Sequence, residues 1–200
     1  MSATPVPDEG FSDQGFSEFL LTVDDLEAMV RAGVFTRDGD RRVELVEGRL
    51  VRISPESLPH SRFSARLNKA IDRAIDRLGP SERYEVLNGG TVRISDTSAF
   101  DPDGAVISRD ADGFFMRSDQ VFLIIESSLS TLKRDLGAKS RAYAVAGIAE
   151  YWVIDVKNAK LHVFRTPVDG IWTQTQTLSA ADLVSPLFAP GADLALTSVF

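Results

Sequence analysis

Residues 121–143 read VFLIIESSLSTLKRDLGAKSRAY. The run Val121-Phe-Leu-Ile-Ile125 has no polar break and is rich in β-branched and aromatic side chains, the pattern of a strand covered on both faces. It ends on Glu126. The segment after it predicts a helix, with Leu132, Leu136 and Tyr143 at i, i+4 and i+11 on one apolar face. The i+7 position of that stripe is Lys139. A carboxylate at the tip of the most buried strand and an ammonium inside the next helix's apolar stripe are the two features that need a chemical reason.

Working outward, the strands and helices around this stretch predict an α+β (α/β) fold with a mixed sheet. Thr22-Val-Asp-Asp25 has the form of a capping box and opens a helix through about Ala32, stopped by Gly33. Val43–Val46 and Arg49–Ile53 flank Glu47-Gly48 as a hairpin. A long helix runs from about Pro59 to Leu78 and ends at Gly79-Pro80. Strands follow near Tyr84–Leu87, Thr91–Ser95 and Gly104–Ser108. After the predicted helix carrying Lys139 come Glu150–Asp155 and Lys160–Arg165, a second hairpin. That helix is expected to cross between the Glu126 strand and the Trp152 strand. Residues 173–200 carry no clear motif. Residues 1–18, rich in Ser, Gly, Pro and Asp, are expected to be flexible, and 19–200 to form a single domain.

Composition narrows the chemistry. The 200 residues are 44% hydrophobic and 26% charged, ordinary for a chain with a real core. Without cysteine there is neither a disulfide nor a thiolate metal site, and the two histidines, His60 and His162, do not support an imidazole-based zinc site. The N-terminus lacks a basic start and an apolar core, and no stretch reaches membrane-spanning length. The expectation is a soluble cytoplasmic protein. A net charge of −7 argues against broad electrostatic binding of nucleic acid, though not against a local basic patch. One such patch is a row on the long helix: Arg62, Arg66, Lys69, Arg73 and Arg77. It can follow a phosphate backbone, but Asp72 and Asp76 lie beside it, and the simpler account is a solvated face.

Glu126 has a partner in Asp103. Pro102 cannot donate a ladder bond and belongs at a strand start, which puts Asp103 at the head of the Gly104–Ser108 strand. If that strand returns antiparallel to Val121–Ile125, the two carboxylates meet at one end of the pair. Two adjacent carboxylates need a cation between them; Lys139 supplies one charge, and an all-oxygen site suits Mg²⁺ or Mn²⁺. A dication, two acids and a lysine are the parts for metal-assisted phosphodiester hydrolysis. Each residue also has a structural explanation: an Asx turn for Asp101-Pro-Asp103-Gly, a helix cap for Glu126, and a side chain reaching along the stripe to water for Lys139.

At these residues the chain resembles the Uma-type family of restriction-endonuclease-like proteins in the PD-(D/E)XK nuclease superfamily. The resemblance spans about Leu21 to Arg165. It is carried by Val43–Leu50, His60, Pro102-Asp103, Ile125-Glu126, Arg134-Asp-Leu-Gly-Ala-Lys139 and Tyr143–Asp155. It implies a mixed-sheet nuclease core flanked by helices, with Asp103 and Glu126 as catalytic metal ligands and Glu44 as a further acid of the metal site. The superfamily's lysine stands two residues after the acid, where this chain has Ser128; the resemblance places it on the following helix, at Lys139. His60 matches a recurrent histidine with an auxiliary or a packing role. Gly104, Ser127 and Leu129 depart from the family pattern. The expected activity is a divalent-metal-dependent endonuclease acting on DNA, as a homodimer because two-fold symmetry suits cutting both strands. A nuclease-fold module that binds nucleic acid or a protein without cutting, and a hydrolase of smaller phosphate esters, are the rival expectations.

Overall fold

The computed structural model describes residues 18–36, 42–54, 57–78 and 82–200. Most of the N-terminal segment expected to be flexible, and the Gly79-Pro80 helix stop, lie outside them.

The strand that decides the fold, β8 (Val121–Ser128), runs three residues past its apolar stretch, so Glu126 lies inside it rather than at its tip. It sits in a six-stranded sheet ordered β11-β10-β9-β8-β6-β3. The other strands of this sheet are β3 (Tyr84–Leu87), β6 (Gly104–Ser108), β9 (Glu150–Asp155), β10 (Lys160–Val168) and β11 (Ile171–Ser179). The β6 strand pairs antiparallel with β8, Gly104 opposite Ile125, while β9 pairs parallel with it, Glu126 opposite Val153. The parallel pair requires a crossover, which residues 132–145 supply.

Side-chain alternation divides this sheet between two cores. Leu123, Ile125, Trp152 and Ile154 face helix α2 (Leu58–Leu78), through Leu67, Ile71, Ala74 and Ile75. Ile124, Tyr151 and Val153 face Tyr143 on the crossover together with Val92 and Phe100. Period two therefore puts Glu126 on the crossover side with Ile124, and Ser127 on the α2 side. The C-terminal residues complete the α2 core: Val184, Leu194, Leu196 and Val199 are all buried in it, with β12 (Leu183–Val184) paired to β13 (Leu194–Ala195).

A second, five-stranded sheet ordered β2-β1-β5-β4-β7 was not anticipated as a separate layer. It holds the predicted hairpin β1 (Val43–Val46) and β2 (Arg49–Arg52), with the two-residue strands β4 (Val92–Arg93), β5 (Ala99–Phe100) and β7 (Met116–Arg117). Glu47 and Gly48 both have positive φ, 49° and 80°, as a tight hairpin turn demands. A Cβ on Gly48 would stand 2.7 Å from that of Leu20. Helix α1 (Val23–Arg31) closes this sheet with Val23 and Leu26 against Leu45 and Ala99, and the Thr22–Asp25 capping box forms as expected.

The crossover is where the predicted geometry changes. Instead of one α-helix, it is a short α3 (Leu132–Arg134), a π-helical turn (Asp135–Lys139) and α4 (Ser140–Val145). Widening one turn from i→i+4 to i→i+5 bonding rotates the next turn by about one residue, roughly 100°. Leu132 and Leu136 remain half-buried, and Lys139 and Tyr143 share the buried inner face. The ammonium thus sits on the face that looks at Glu126, not in line with Leu132.

Candidate active site

Four chain segments meet at one end of β8. Glu44 comes from β1 and is buried; Asp101 and Asp103 come from the link between β5 and β6; Glu126 comes from β8; Lys139 closes the cluster from the π turn. The Lys139 ammonium donates to Glu126 Oε1 at 2.7 Å and stands 2.7 Å from Glu44 Oε1, 5.5 Å from the Phe100 ring centre. Tyr143 donates its hydroxyl to the same Glu126 oxygen at 3.0 Å. Glu44 Oε1 also accepts from the Asp101 amide at 3.2 Å, which extends the β1–β5 pairing to the start of the link that carries Asp103.

Asp103 faces Glu126 across the β6–β8 pair, as its place at the head of β6 predicts. Its Oδ2 accepts from the Ser127 amide at 2.6 Å and its Oδ1 lies 2.9 Å from His60 Nε2 on α2. The two predicted acids are thus brought together with Lys139 and Glu44, and His60 joins them through Asp103.

Electrostatics follow from burial. Burial pushes the Glu126 carboxyl up to about 8; Lys139 opposes the shift, and Asp103 and Asp135 add to it. Burial alone would lower Lys139, but the Glu126 and Glu44 carboxylates outweigh it and hold the lysine above its ordinary range, so it stays an ammonium. Burial also raises Asp101, against a hydrogen bond from Thr91, and the Glu44 charge raises it further.

These residues line a cavity of about 280 Å³ whose charge is layered. Its floor holds the nearly buried side chains of Glu44, Asp103 and Glu126 around Lys139. Its mouth carries Arg42, Arg52 and Arg134, all exposed. This local basic rim lets a chain of net charge −7 present positive charge at one point.

Among the described residues no group of three or more His, Cys, Asp or Glu side chains is placed to hold a metal ion. The donor set nevertheless fits a hard dication in its chemistry. Three carboxylates share one floor around a single buried ammonium, and the Asp103 charge adds to the rise that burial imposes on Glu126. The point between Glu44 and Glu126 is held by the lysine, so a dication there requires Lys139 to move aside.

Several participants were not singled out from the sequence. Tyr143 was read as a core residue, and only its hydroxyl's reach to Glu126 reveals the second role. Asn68 is buried on α2; its amide donates to Asn88 Oδ1 at 2.8 Å and to the Asp103 carbonyl at 3.2 Å, fixing the backbone beneath the acid. This explains Gly104: a Cβ there would stand 2.4 Å from Asn68 Oδ1. Ser127, the other polar departure, accepts a hydrogen bond from the Ser64 hydroxyl on α2 at 2.8 Å. Arg62, Arg66 and Arg73 are exposed and outside the cavities around the acids, while Lys69 lines a groove beside them.

Comparison with known proteins bears on the fold and the family. A solved structure described as a putative nuclease of the DUF820 group from Anabaena variabilis superposes with a TM-score of 0.63 at 17% identity, covering 80% of this chain and 90% of that one, a likeness of fold. No curated protein matches the chain. The family model described as "Putative restriction endonuclease", Uma2, matches residues 23–197, and the chain belongs to that family.

Proposed function

We propose that this chain is a Mg²⁺- or Mn²⁺-dependent endonuclease that hydrolyses phosphodiester bonds in DNA, with residues 19–200 as one restriction-endonuclease-like domain that works as a homodimer. The observation that carries the proposal is the layered cavity: an arginine mouth to draw in a phosphodiester, and a floor of carboxylates around one lysine to act on it. Asp103 and Glu126 would hold the dication, with Glu44 as a third acid; bound there, it would polarise the phosphoryl group and acidify a nearby water.

The chain's own residues do the rest. The Ser127 amide and His60 fix the two oxygens of Asp103, and Tyr143 orients Glu126. Lys139, as an ammonium, cannot take a proton; it orients the attacking water and offsets charge that develops at phosphorus. Water adds to phosphorus and the bond to the leaving oxygen breaks, giving a phosphate monoester and a free hydroxyl. Arg134, from the mouth, is in reach of the phosphate.

Calorimetric titration of Mn²⁺ and Mg²⁺ into the wild type and Asp103→Ala, followed by cleavage assays on DNA, tests this. Binding by the wild type, its loss in Asp103→Ala, and cutting that disappears in Lys139→Ala are expected. No ion binding by the wild type with DNA present overturns the metal assignment. Turnover of small phosphate esters with long DNA untouched overturns the substrate.

A further inference from the structure

A groove of about 700 Å³ lies beside the acids and shares Arg42, Asp101 and Asp103 with their cavity. One wall is the face of α2 that carries Ser61, Ala65 and Lys69; the other is the turn Asn88-Gly89-Gly90 after β3. Its size is that of a small-molecule subsite, and its lining is mostly polar. Gly89 and Gly90 have φ of 94° and 111°, values that only glycine adopts readily, so this wall is bare backbone open to close approach. Asn68 bridges the walls to the catalytic backbone through Asn88 and the Asp103 carbonyl.

Helix geometry relates this groove to the basic row. At 100° per residue, Arg62, Arg66 and Arg73 lie about 20–60° to one side of Lys69, while Ala65, Asp72, Ser61 and Asn68 lie about 40–100° to the other. Lys69 is therefore the seam: the groove opens on one side of it and the arginine row runs along the other.

We infer that the groove is the subsite for the nucleotide flanking the scissile phosphodiester. Lys69 holds the neighbouring phosphate, and Arg62, Arg66 and Arg73 form the rim along which the strand leaves. This rests on the nuclease assignment and adds to it a minimum substrate: the chain cuts a polynucleotide and not a mononucleotide ester, because one nucleotide beyond the cut must be seated. The arm from Asn68 to Asp103 links an occupied groove to the position of the catalytic acid.

The test uses the full chain and a short labelled DNA duplex with Ca²⁺ in place of Mg²⁺, read by anisotropy across a salt series, with Mn²⁺ titration and steady-state cutting alongside. Lys69→Gln is expected to weaken binding and lower the salt slope by about one unit. Ala65→Trp, at an exposed position, fills the groove; it should raise KM more than Lys69→Gln does and leave Mn²⁺ binding and melting temperature unchanged. Arg31→Gln, which lines neither cavity, should match the wild type. If the wild type binds and cuts DNA and both groove variants match it, the groove inference falls and the nuclease assignment stands. If the wild type neither binds nor cuts, both fall.

Discussion

Two buried glutamates on neighbouring strands meet burial in opposite ways. Glu150, on β9, is fully buried and answered group for group: Oε1 accepts from Arg165 at 2.6 Å and Trp152 at 2.8 Å, and Oε2 accepts from the Leu187 amide at 2.7 Å. Arg165 reaches on to the Ser185 carbonyl. This pair pins the C-terminal residues to the sheet. Glu126, on β8, shares one lysine with Glu44 and has Asp103 and Asp135 nearby. Burial raises both carboxyls. The difference is supply: Glu150 has an arginine of its own, while Glu126 and Glu44 share one buried ammonium and the exposed Arg134 reaches Asp135 at 3.2 Å but Glu44 only at 3.9 Å, which leaves room for more positive charge.

Breaking the first region should cost the most stability. Glu150→Ala leaves a half-buried guanidinium and an unpaired Leu187 amide, and thermal or denaturant melting should show a loss of about 3–5 kcal/mol. The folded fraction should still cut DNA. If it folds as well as the wild type, Glu150 is not the latch described.

Lys139→Met tests the second region through activity. Cutting should fall by about 10²–10³-fold, the effect of removing one charged group aimed at developing charge, with Mn²⁺ still bound. Full activity in this variant would remove the contrast between the two glutamates.

Gly104→Ala is the next step down. The new methyl meets the Asn68 amide, and overpacking of this kind costs about 1–3 kcal/mol. Asn68→Ala should relieve the clash in the double variant without restoring full cutting, because the Asp103 backbone has lost its support. A double variant no more stable than Gly104→Ala alone would show that Asn68 is not the obstacle.

Proton linkage has the smallest effect over any single pH unit. Glu126 moves from an ordinary 4.5 to about 8. In the metal-free protein a raised carboxyl adds stability that is complete below the unfolded value and is lost as pH rises through the folded one. A dication needs the carboxylate, so between those values Mn²⁺ binding should release about one proton and tighten by up to about tenfold per pH unit. Glu126→Gln should abolish the release. A pH-independent affinity in the wild type would mean that Glu126 does not receive the ion.

Much of this was legible in the chain. Continuous apolar runs marked β8 and β9, and Pro102 placed Asp103 at the head of β6, opposite Glu126. Both hairpins were marked by their turns. What escaped notice had physical causes. Of the second sheet the β1–β2 hairpin and the strand at β4 were legible, but β5 and β7 are two residues long and carry no periodicity, so nothing marked these pieces as one layer. The C-terminal strands β12 and β13 are equally short, and their apolar residues acquire meaning only against α2. Asn68 looked like any polar helix residue because its partners, Asn88 and the Asp103 carbonyl, are remote in sequence. The arginines at the mouth are likewise scattered over three segments.

The π turn sets the phase in which the crossover presents its residues to the sheet. Connections between strands usually tolerate gain or loss of a residue. Here Glu126 and Lys139 are thirteen positions apart and joined by a 2.7 Å contact, and the wide turn holds the extra residue that brings ammonium and phenol to one face. Were the same residues wound at ordinary helical pitch, Lys139 and Tyr143 would turn by about 100° into line with Leu132, off the carboxylate. The crossover sets a phase rather than a length: a chain one residue shorter, with an ordinary turn here, would present its ammonium on the same face.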